Sequence, residues 1–374
     1  MKKGRTWLFG LVALFVVLTL GVAACGGDDD EGGGDGNDSV TLQLKWVTQA
    51  QFAGYYAALE QGYYEEEGLD VTIKPGGPDI TPEQVVASGG ADFGINWMPS
   101  LLATRDKGGN LVNIAQVFAR SAMLELAWKD SGIQDIADLR GKKVGVWCCG
   151  NEFELLAALN KNGINPKDKS DVTMVNQPFS MDLFLQRQVD AAAAMTYNEL
   201  AQVLAQKNPD TGKQYSLADI NVMSMEEAGT AMLEDGIFVR GDWIEDEGNE
   251  DIAKRFLKAS FRGWIFCRDN PDECLQTVLD NGPTLGEAHQ RWMLNEINAL
   301  IWPNENGIGI MDEADFKRTA DISLQQKVIS KPATDEAYRT DLAEAVVAEL
   351  EEDGEDVKGD EWEKPEVEVT PGGE

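Results

Sequence analysis

The segment from Trp46 to Phe52 brings an indole ring and two side-chain amides together over a short stretch of chain. Trp46 offers a flat apolar face, and Gln49 and Gln51 offer hydrogen-bond donors and acceptors. Stacking on an aromatic ring stabilises a bound planar ligand by about 0.5–1.5 kcal/mol beyond the free energy of burying its apolar area. An indole ring beside two amides therefore suits flat polar molecules. The alternative is a core position for Trp46, but the polar residues after it favour an open one. Four residues here are expected to contact ligand: Trp46, Gln49, Gln51 and Phe52.

A second aromatic position lies in Asn96-Trp97-Met98, at the end of a short apolar stretch. Trp97 could hold the second face of a planar ligand, and the flexible thioether of Met98 could adapt to a ring edge. A core position for Trp97 is again the alternative. We expect Asn96, Trp97 and Met98 to belong to the same site.

A third segment, 147–153, begins with Trp147 and turns at Gly150 before a predicted helix. Backbone N–H groups at a helix start can bind an oxyanion or a carbonyl oxygen. Glu152 at this start disfavours a full anion, so a neutral ligand ranks first. Candidate ligand contacts are Trp147, Gly150, Asn151 and Glu152.

A fourth segment, Tyr197-Asn198-Glu199, follows a strand of small residues. Tyr197 can stack or donate, and a carboxylate beside an amide can pair with the edge of an aminopyrimidine through charge-assisted bonds. The alternative for Glu199 is a helix N-terminal charge that the helix dipole favours. Asp235, just before another strand, is a further candidate ligand contact.

The elements that must position these segments alternate between short apolar strands and amphipathic helices, which predicts an α/β fold. Strand patterns occur at 40–46, 69–73, 93–96, 111–118, 122–129, 144–147, 172–175, 191–195 and 236–239. Helix patterns occur at 51–61, from Thr81 onward, and at 152–162, 181–188, 250–267, 271–280, 285–301 and 313–326. In α/β sheets the strand ends and helix starts face the ligand cleft, so the candidate segments should converge there.

Composition restricts the class of partner. The chain of 374 residues carries 32 Lys and Arg against 65 Asp and Glu, a formal net charge of −33. Such a surface repels phosphate backbones and anionic headgroups, which argues against nucleic-acid binding. The single histidine, His289, rules out a centre built from several histidines. No metal and no cofactor is expected.

Both ends of the chain are expected to lie outside the fold. Residues 1–25 combine an early basic cluster with an apolar run and end in Ala-Ala-Cys25, which resembles a bacterial lipobox with Cys25 as the lipidated residue. An uncleaved membrane anchor is the alternative. Residues 26–38 hold six acidic residues among Gly and Asn, and residues 351–374 hold 11 acidic residues and 2 lysines. Both are predicted to be disordered, as a spacer and an acidic tail.

The order and spacing of several motifs resemble type II periplasmic-binding-like proteins. More narrowly, they resemble the family that unites sulfonate-, riboflavin- and thiamine-precursor-binding lipoproteins with the pyrimidine synthase of thiamine biosynthesis. The resemblance covers nearly all of 40–345 and rests on motifs within 46–56, 62–71, 88–94, 139–146, 189–192 and 195–199.

The resemblance implies two lobes, each a mixed sheet flanked by helices, joined by two crossing strands with ligand in the cleft between them. Lobe 1 is expected at 40–135 plus 236–345, and lobe 2 at 136–235. Family members usually deliver ligand to an ABC permease. A monomer, lipid-anchored outside the cytoplasm, is therefore expected.

A minority of such proteins are enzymes, and the resemblance argues against that activity here. In the family's synthase a lysine and a histidine four residues apart follow the strand that corresponds to Asp92-Phe93-Gly94, whereas this chain has Asn96 and Ser100 there. Without them neither a Schiff base nor a nitrogen donor is available. The iron-binding cysteine motif of the synthase is also missing from the sequence.

Among possible ligands, the aromatic residues and amides favour a small heteroaromatic molecule. Hydroxymethyl- or formylaminopyrimidine is the first expectation, riboflavin the second, and a sulfonate or nitrate the third. The anions rank last because Lys45 is the only basic residue at the first three segments described above. Side chains alternate along a strand, so Lys45 is expected to point away from Trp46.

Four further cysteines have two expected roles. Cys267 and Cys274 flank a turn between two helices and are expected to form a disulfide in an oxidising compartment. Cys148 and Cys149 are adjacent, so plain packing or a vicinal disulfide is favoured over iron binding.

Overall fold

The computed structural model describes residues 37–147 and 151–373. Four expectations lie outside these residues: the signal and lipidated Cys25, most of the 26–38 spacer, the state of Cys148 and Cys149, and the turn at Gly150.

Two five-stranded sheets form the centres of two lobes. The strands are β1 Asp38–Gln43, β2 Leu69–Lys74, β3 Phe93–Trp97, β4 Leu111–Gln116, β5 Met123–Trp128, β6 Lys143–Val146, β7 Thr173–Asn176, β8 Ala191–Met195, β9 Ile220–Ser224 and β10 Asp235–Arg240. The lobe 1 sheet has the order β2-β1-β3-β10-β4, and the lobe 2 sheet has the order β7-β6-β8-β5-β9. Each sheet is mixed, because β10 and β5 run antiparallel to both of their neighbours.

Helices cover these sheets. They are α1 Ala53–Glu60, α2 Tyr63–Glu66, α3 Pro82–Ala87, α4 Met98–Asp106, α5 Phe153–Lys161, α6 Asp182–Leu185, α7 Glu199–Leu204, α8 Met225–Ala228, α9 Gly241–Ile244, α10 Glu247–Asp269, α11 Pro271–Asn281, α12 Glu287–Ile301, α13 Glu313–Gln325 and α14 Asp341–Glu352. Among the described residues, no helix combines the length and the apolar character needed to cross a membrane.

The chain crosses between the lobes earlier than the sequence predicts. β5 pairs with β8 and β9 of lobe 2, although residues up to 135 were expected in lobe 1. The first crossing therefore lies at 117–122 and the second at 229–234. The crossings are bonded to each other, since Gln116 donates to the Glu234 carbonyl oxygen at 3.1 Å and Ala122 N–H to the Glu234 carboxylate at 2.7 Å. The error arose because β5 is apolar throughout, which does not reveal the sheet to which a strand belongs.

Lobe 1 is closed by a large apolar core between its sheet and the long helix α10. Phe93 and Phe256 stack with ring centroids 3.9 Å apart. Cys267 and Cys274 are both buried and form the expected disulfide across the α10–α11 turn, with their Cα atoms 5.0 Å apart.

The acidic tail departs from the prediction of disorder. Beyond α14 the chain packs along lobe 1, where Val357 is 1% exposed and Arg268 donates to the Asp356 carbonyl oxygen at 2.7 Å. It continues past α12, where Asn295 donates to Pro365, and reaches lobe 2, where Gln214 donates to Val369 at 2.6 Å. Residues 353–373 therefore form a strap over both lobes, held by partners that local composition does not reveal.

Candidate functional site

The floor of the cleft is built where β1 and β3 end in lobe 1. Trp97 closes β3, and its ring is 3% exposed. The ammonium of Lys45 lies 3.6 Å from the centroid of that ring, close enough for a cation–π contact. Burial lowers the pKa of Lys45 to about 8, and the negative charges of Asp235 and Glu234 oppose that shift. Lys45 is thus a cleft residue, contrary to the expectation that it points away.

Strand geometry explains this difference. The sequence predicts a strand through Trp46, but β1 ends at Gln43, opposite Lys74 of β2. Past Gln43 the backbone is irregular, so alternation of side chains no longer applies and both Lys45 and Trp46 face the cleft.

Gln49 and Gln51 lie just beyond this point and are buried. Gln49 Nε2 donates to Gln51 Oε1 at 2.7 Å, and Gln51 Nε2 donates to Asp235 Oδ2 at 2.7 Å. Asp235 is 2% exposed and begins β10, the strand that returns from lobe 2. It therefore supports the glutamines from below and does not line the cavity.

Lobe 2 supplies the facing wall. Phe179 reaches across to Trp46, with ring centroids 4.8 Å apart and planes tilted by 60°. Trp147 lies beside it and donates through Nε1 to the Pro178 carbonyl oxygen at 3.3 Å. Asn151 accepts from Lys45 at 3.5 Å, which links the two lobes.

Tyr197 and Asn198 follow β8 and close one end. Tyr197 is 5% exposed and lines the cavity. Asn198 Oδ1 lies 2.8 Å from His289 Nε2 on α12, so this pair also joins the lobes. Burial lowers the pKa of His289.

Glu199 has a bracing role. Its carboxylate accepts from Met195 N–H at 3.0 Å and from Asn198 Nδ2 at 2.8 Å. Burial raises its pKa to about 7 despite these two bonds. Both oxygens are therefore used to hold the Tyr197-Asn198 turn, although Glu199 remains on the cavity lining.

Two adjoining cavities result. The first, which we call the aromatic cavity, has a volume of about 350 Å³ and is lined by Trp46, Gln49, Trp97, Tyr197, His289 and Gln290 among others. The second, the polar cavity, has a volume of about 550 Å³ and is lined by Thr81, Glu83, Asn96, Ser100, Thr104 and Gln177 among others. Five residues border both cavities: Lys45, Trp46, Trp147, Asn151 and Phe179.

Besides Asp235, three candidate residues lie outside the lining of both cavities. Phe52 is 0% exposed in the lobe 1 core, and Met98 is 1% exposed among Val86, Leu101 and their neighbours. Both belong to the apolar cores, so they are corrected from ligand contacts to packing residues. Glu152 lies at the start of α5 but borders neither cavity.

Asn96 has both a structural role and a position on a cavity lining. Its Nδ2 donates to Glu83 Oε1 at 2.8 Å, and its Oδ1 accepts from Trp97 N–H at 2.9 Å. Asn96 therefore fixes the end of β3 while it lines the polar cavity.

Sequence reasoning missed seven residues that line the aromatic cavity: Lys45, Phe179, Met195, Gln202, Leu285, His289 and Gln290. Phe179 is a loop residue that is 54% exposed, and no local pattern marks it. Gln290 lies on the amphipathic helix α12, where a polar residue is ordinary. Only its long-range bond to Ala50 N–H, at 2.7 Å, places it in the cleft.

Comparison with known proteins agrees with this architecture. Residues 49–274 match the family described as NMT1/THI5 like. The chain belongs to this NMT1/THI5-like family. It is 26% identical over 305 residues to the riboflavin-binding protein RibY of Chloroflexus aurantiacus, which covers 78% of this chain and 82% of that protein.

Two further known proteins are similar to this chain. The chain is 25% identical over 278 residues to the formylaminopyrimidine-binding protein of Halalkalibacterium halodurans, covering 73% of this chain and 79% of the relative. A putative periplasmic sulfonate-binding protein, SsuA from Methylobacillus flagellatus KT, shares the fold with a TM-score of 0.62 and 15% identity, covering 85% of this chain and 96% of that one. The two-lobe α/β fold of substrate-binding proteins is therefore shared.

Proposed function

We propose that this protein is the extracytoplasmic substrate-binding component of an ABC importer and that it captures a planar nitrogen heterocycle. The first candidate is a thiamine pyrimidine precursor, hydroxymethyl- or formylaminopyrimidine. The observation that carries the proposal is the aromatic cavity between the lobes, where Trp46, Trp97 and Tyr197 surround the amides of Gln49 and Gln290. The relative named for formylaminopyrimidine binding supports this ligand.

Charge argues for a heterocycle over a sulfonate or nitrate. Within the described part of the chain, Lys45 is the only Lys or Arg on the aromatic cavity. Its charge is already opposed by Asp235, Glu234 and Glu83, which lie close enough to raise its pKa. A bound anion would have to compete with these carboxylates, whereas a neutral ring would not.

Riboflavin is the second candidate, and the polar cavity favours it. A three-ring flavin could lie against the aromatic walls while its polyhydroxylated chain enters the adjoining space. There the hydroxyls of Thr81, Ser100 and Thr104 and the amide of Gln177 would face that chain. A pyrimidine would leave this second cavity to water.

We further propose that the ligand is bound without chemical change. At the positions where the family's synthase has its lysine and histidine, this chain has Asn96 and Ser100. Asn96 is bonded to Glu83 and Trp97, which gives it a structural role. The partner would be an ABC permease, the protein would act as a monomer, and a lipid on Cys25 would hold it at the membrane surface.

Titration of the purified full-length chain tests this function. Hydroxymethylpyrimidine, formylaminopyrimidine, riboflavin and taurine would each be added while tryptophan fluorescence is recorded. We expect saturable quenching by a pyrimidine or by riboflavin and none by taurine. Saturation by taurine alone would refute the proposal.

Matched variants locate the binding event. Trp46→Ala removes a ring that lines both cavities, and we expect it to weaken binding about tenfold through lost stacking and buried area. Trp362→Ala removes a partly buried ring that packs against the lobe 1 core, and it should leave affinity unchanged. Equal effects of both variants would show that the ligand lies elsewhere.

A further inference from the structure

Gln49, Gln51 and Asp235 form one buried hydrogen-bond chain that leads from the lining of the aromatic cavity, where both glutamines lie, to Asp235 behind it. The two donor–acceptor distances are both 2.7 Å, from Gln49 Nε2 to Gln51 Oε1 and from Gln51 Nε2 to Asp235 Oδ2. The three residues are 7%, 3% and 2% exposed. Water therefore has little access to compete for these hydrogen bonds.

The carboxylate determines the direction of the chain. An ionised carboxylate only accepts hydrogen bonds, so Gln51 must turn its Nε2 toward Asp235. Its Oε1 then faces Gln49, which must donate in turn. The reverse order would bring the oxygens of Gln51 and Asp235 together in a buried place, which costs free energy. Burial raises the pKa of Asp235, and Lys45 and Gln51 oppose that rise by stabilising the anion.

This order of donors and acceptors determines what Gln49 offers to a ligand. Since Gln49 donates inward, its Oε1 is left as an acceptor. Gln49 lines the aromatic cavity, and this oxygen accepts from no side chain or backbone group of the described residues. A ligand group that donates a hydrogen bond would satisfy it.

Gln290 has the opposite polarity on the same wall. Its Oε1 accepts from the Ala50 N–H at 2.7 Å, and a backbone N–H can only donate. Gln290 must therefore direct Nε2 away from that bond, as a donor on the cavity lining. Gln49 and Gln290 both line the aromatic cavity, which therefore offers an acceptor from one amide and a donor from the other.

We propose that Asp235 sets the hydrogen-bonding polarity of the cleft through Gln51 and Gln49, so that the site selects a ring edge with a donor next to an acceptor. This inference rests on the proposed function. An amino group beside a ring nitrogen, or a ring N–H beside a carbonyl, has this pattern. Asp235 is then a positioning residue that does not touch the ligand, and Gln49 and Gln290 are the groups that read the edge.

Pairs of ligands with and without the donor test the proposal. The probes are 4-amino-5-hydroxymethyl-2-methylpyrimidine with its N,N-dimethylamino analogue, and riboflavin with 3-methylriboflavin. The full-length wild-type chain should bind a parent compound about tenfold or more tightly than its methylated partner, because methylation leaves the Gln49 oxygen buried without a donor. Affinities would be measured by calorimetry.

Asp235→Asn keeps the shape of the side chain but adds a donor, so both glutamines can reverse. We expect the preference for the parent compound to fall to within about threefold. Gln51→Met breaks the chain at its centre and should have the same effect, which covers the case of an unstable Asp235 variant. Asp92→Asn removes a carboxylate that accepts from Thr41 N–H at 2.8 Å outside the cleft, and it should keep the wild-type preference.

A double-variant measurement separates orientation from general damage. In a Gln49→Ala background the preference should already be lost, and adding Asp235→Asn should change it no further. An undiminished preference in both Asp235→Asn and Gln51→Met would overturn the inference while leaving the proposed function intact. A wild-type chain that binds neither parent compound would overturn both.

Discussion

The hydroxyl of Ser121, at the first crossing between the lobes, lies between two buried carboxyl groups. Its Oγ is 2.8 Å from Glu154 Oε2 and 2.9 Å from Glu234 Oε1. A serine hydroxyl has one hydrogen to donate, so it can bond to both oxygens only if one carboxyl carries a proton and donates to it. Burial raises the pKa of Glu154 well above its usual range and that of Glu234 to about 8; the charge of Glu234 further raises the pKa of Glu154, and the charge of Asp235 further raises that of Glu234.

Glu154→Gln should imitate the protonated form. Its Oε1 can accept from Met232 N–H, as Glu154 does at 3.1 Å, and its Nε2 can donate to Ser121. In the wild type, a carboxyl whose pKa is raised on folding holds a proton that the unfolded chain releases above pH ~4.5, so stability falls as pH rises toward the folded pKa. For each such group, the free energy of unfolding falls by about 1.4 kcal/mol per pH unit between the pKa of the unfolded chain and that of the folded chain. Between pH 5.5 and 7.5 the variant should therefore gain stability relative to the wild type, by at most about 3 kcal/mol over these two pH units.

Urea unfolding at pH 5.5, 6.5 and 7.5, followed by tryptophan fluorescence, measures this difference. Glu227→Gln is the matched control, since Glu227 is exposed on α8 next to Glu226, whereas the charge of Glu226 itself acts on Glu154. The control should keep the pH dependence of the wild type. Stability curves of wild type and Glu154→Gln that run parallel across the three pH values would show that no proton is shared at the crossing.

Three other changes have distinct expected outcomes. Phe179→Ala removes an exposed ring that contacts Trp46, so it should weaken ligand binding about fivefold in fluorescence titrations. It should change the unfolding free energy by less than about 0.5 kcal/mol. A large loss of stability would contradict this expectation. Met98→Ala should do the reverse, lowering the unfolding free energy by about 2–4 kcal/mol in urea with affinity kept, because Met98 is a core residue. Truncation after Glu352 removes the strap with its buried Val357 and should lower the thermal midpoint and the unfolding free energy by about 2 kcal/mol or more. An unchanged midpoint in calorimetry would show that the strap adds no stability.

Much of the fold could be predicted because its strands are short, apolar and separated by turns. The runs at 69–73 and 191–195 correspond closely to β2 and β8. The elements that the sequence patterns did not predict include β9, in which Val222 is exposed at the sheet edge, and the helices α4 and α14. A short edge strand with one exposed apolar residue carries weak periodicity, so sequence patterns reveal it least.

The acidic tail shows a second limit of composition. Its charge predicts disorder, yet Val357 is buried and Lys364 pairs with the buried Glu296 of α12. A few contacts hold the segment against both lobes. Such partners are distant in sequence, so local charge density does not disclose them.

For the site, residue type predicted more than position did. The aromatic residues Trp46, Trp97, Trp147 and Tyr197 all line the cleft. Lys45 was misplaced because the strand ends earlier than its pattern suggests. The supporting role of Asp235 depends on a bond to Gln51 across 184 positions of the chain, which only the folded structure shows.

Calorimetric titration of the full-length wild-type chain with riboflavin and with hydroxymethylpyrimidine tests the central claim most directly. One ligand per chain, bound in the micromolar range or tighter and recovered unaltered by mass spectrometry, is the result we predict. No binding of either compound, or recovery of a chemically changed ligand, would contradict a cleft that grips a planar heterocycle and delivers it intact.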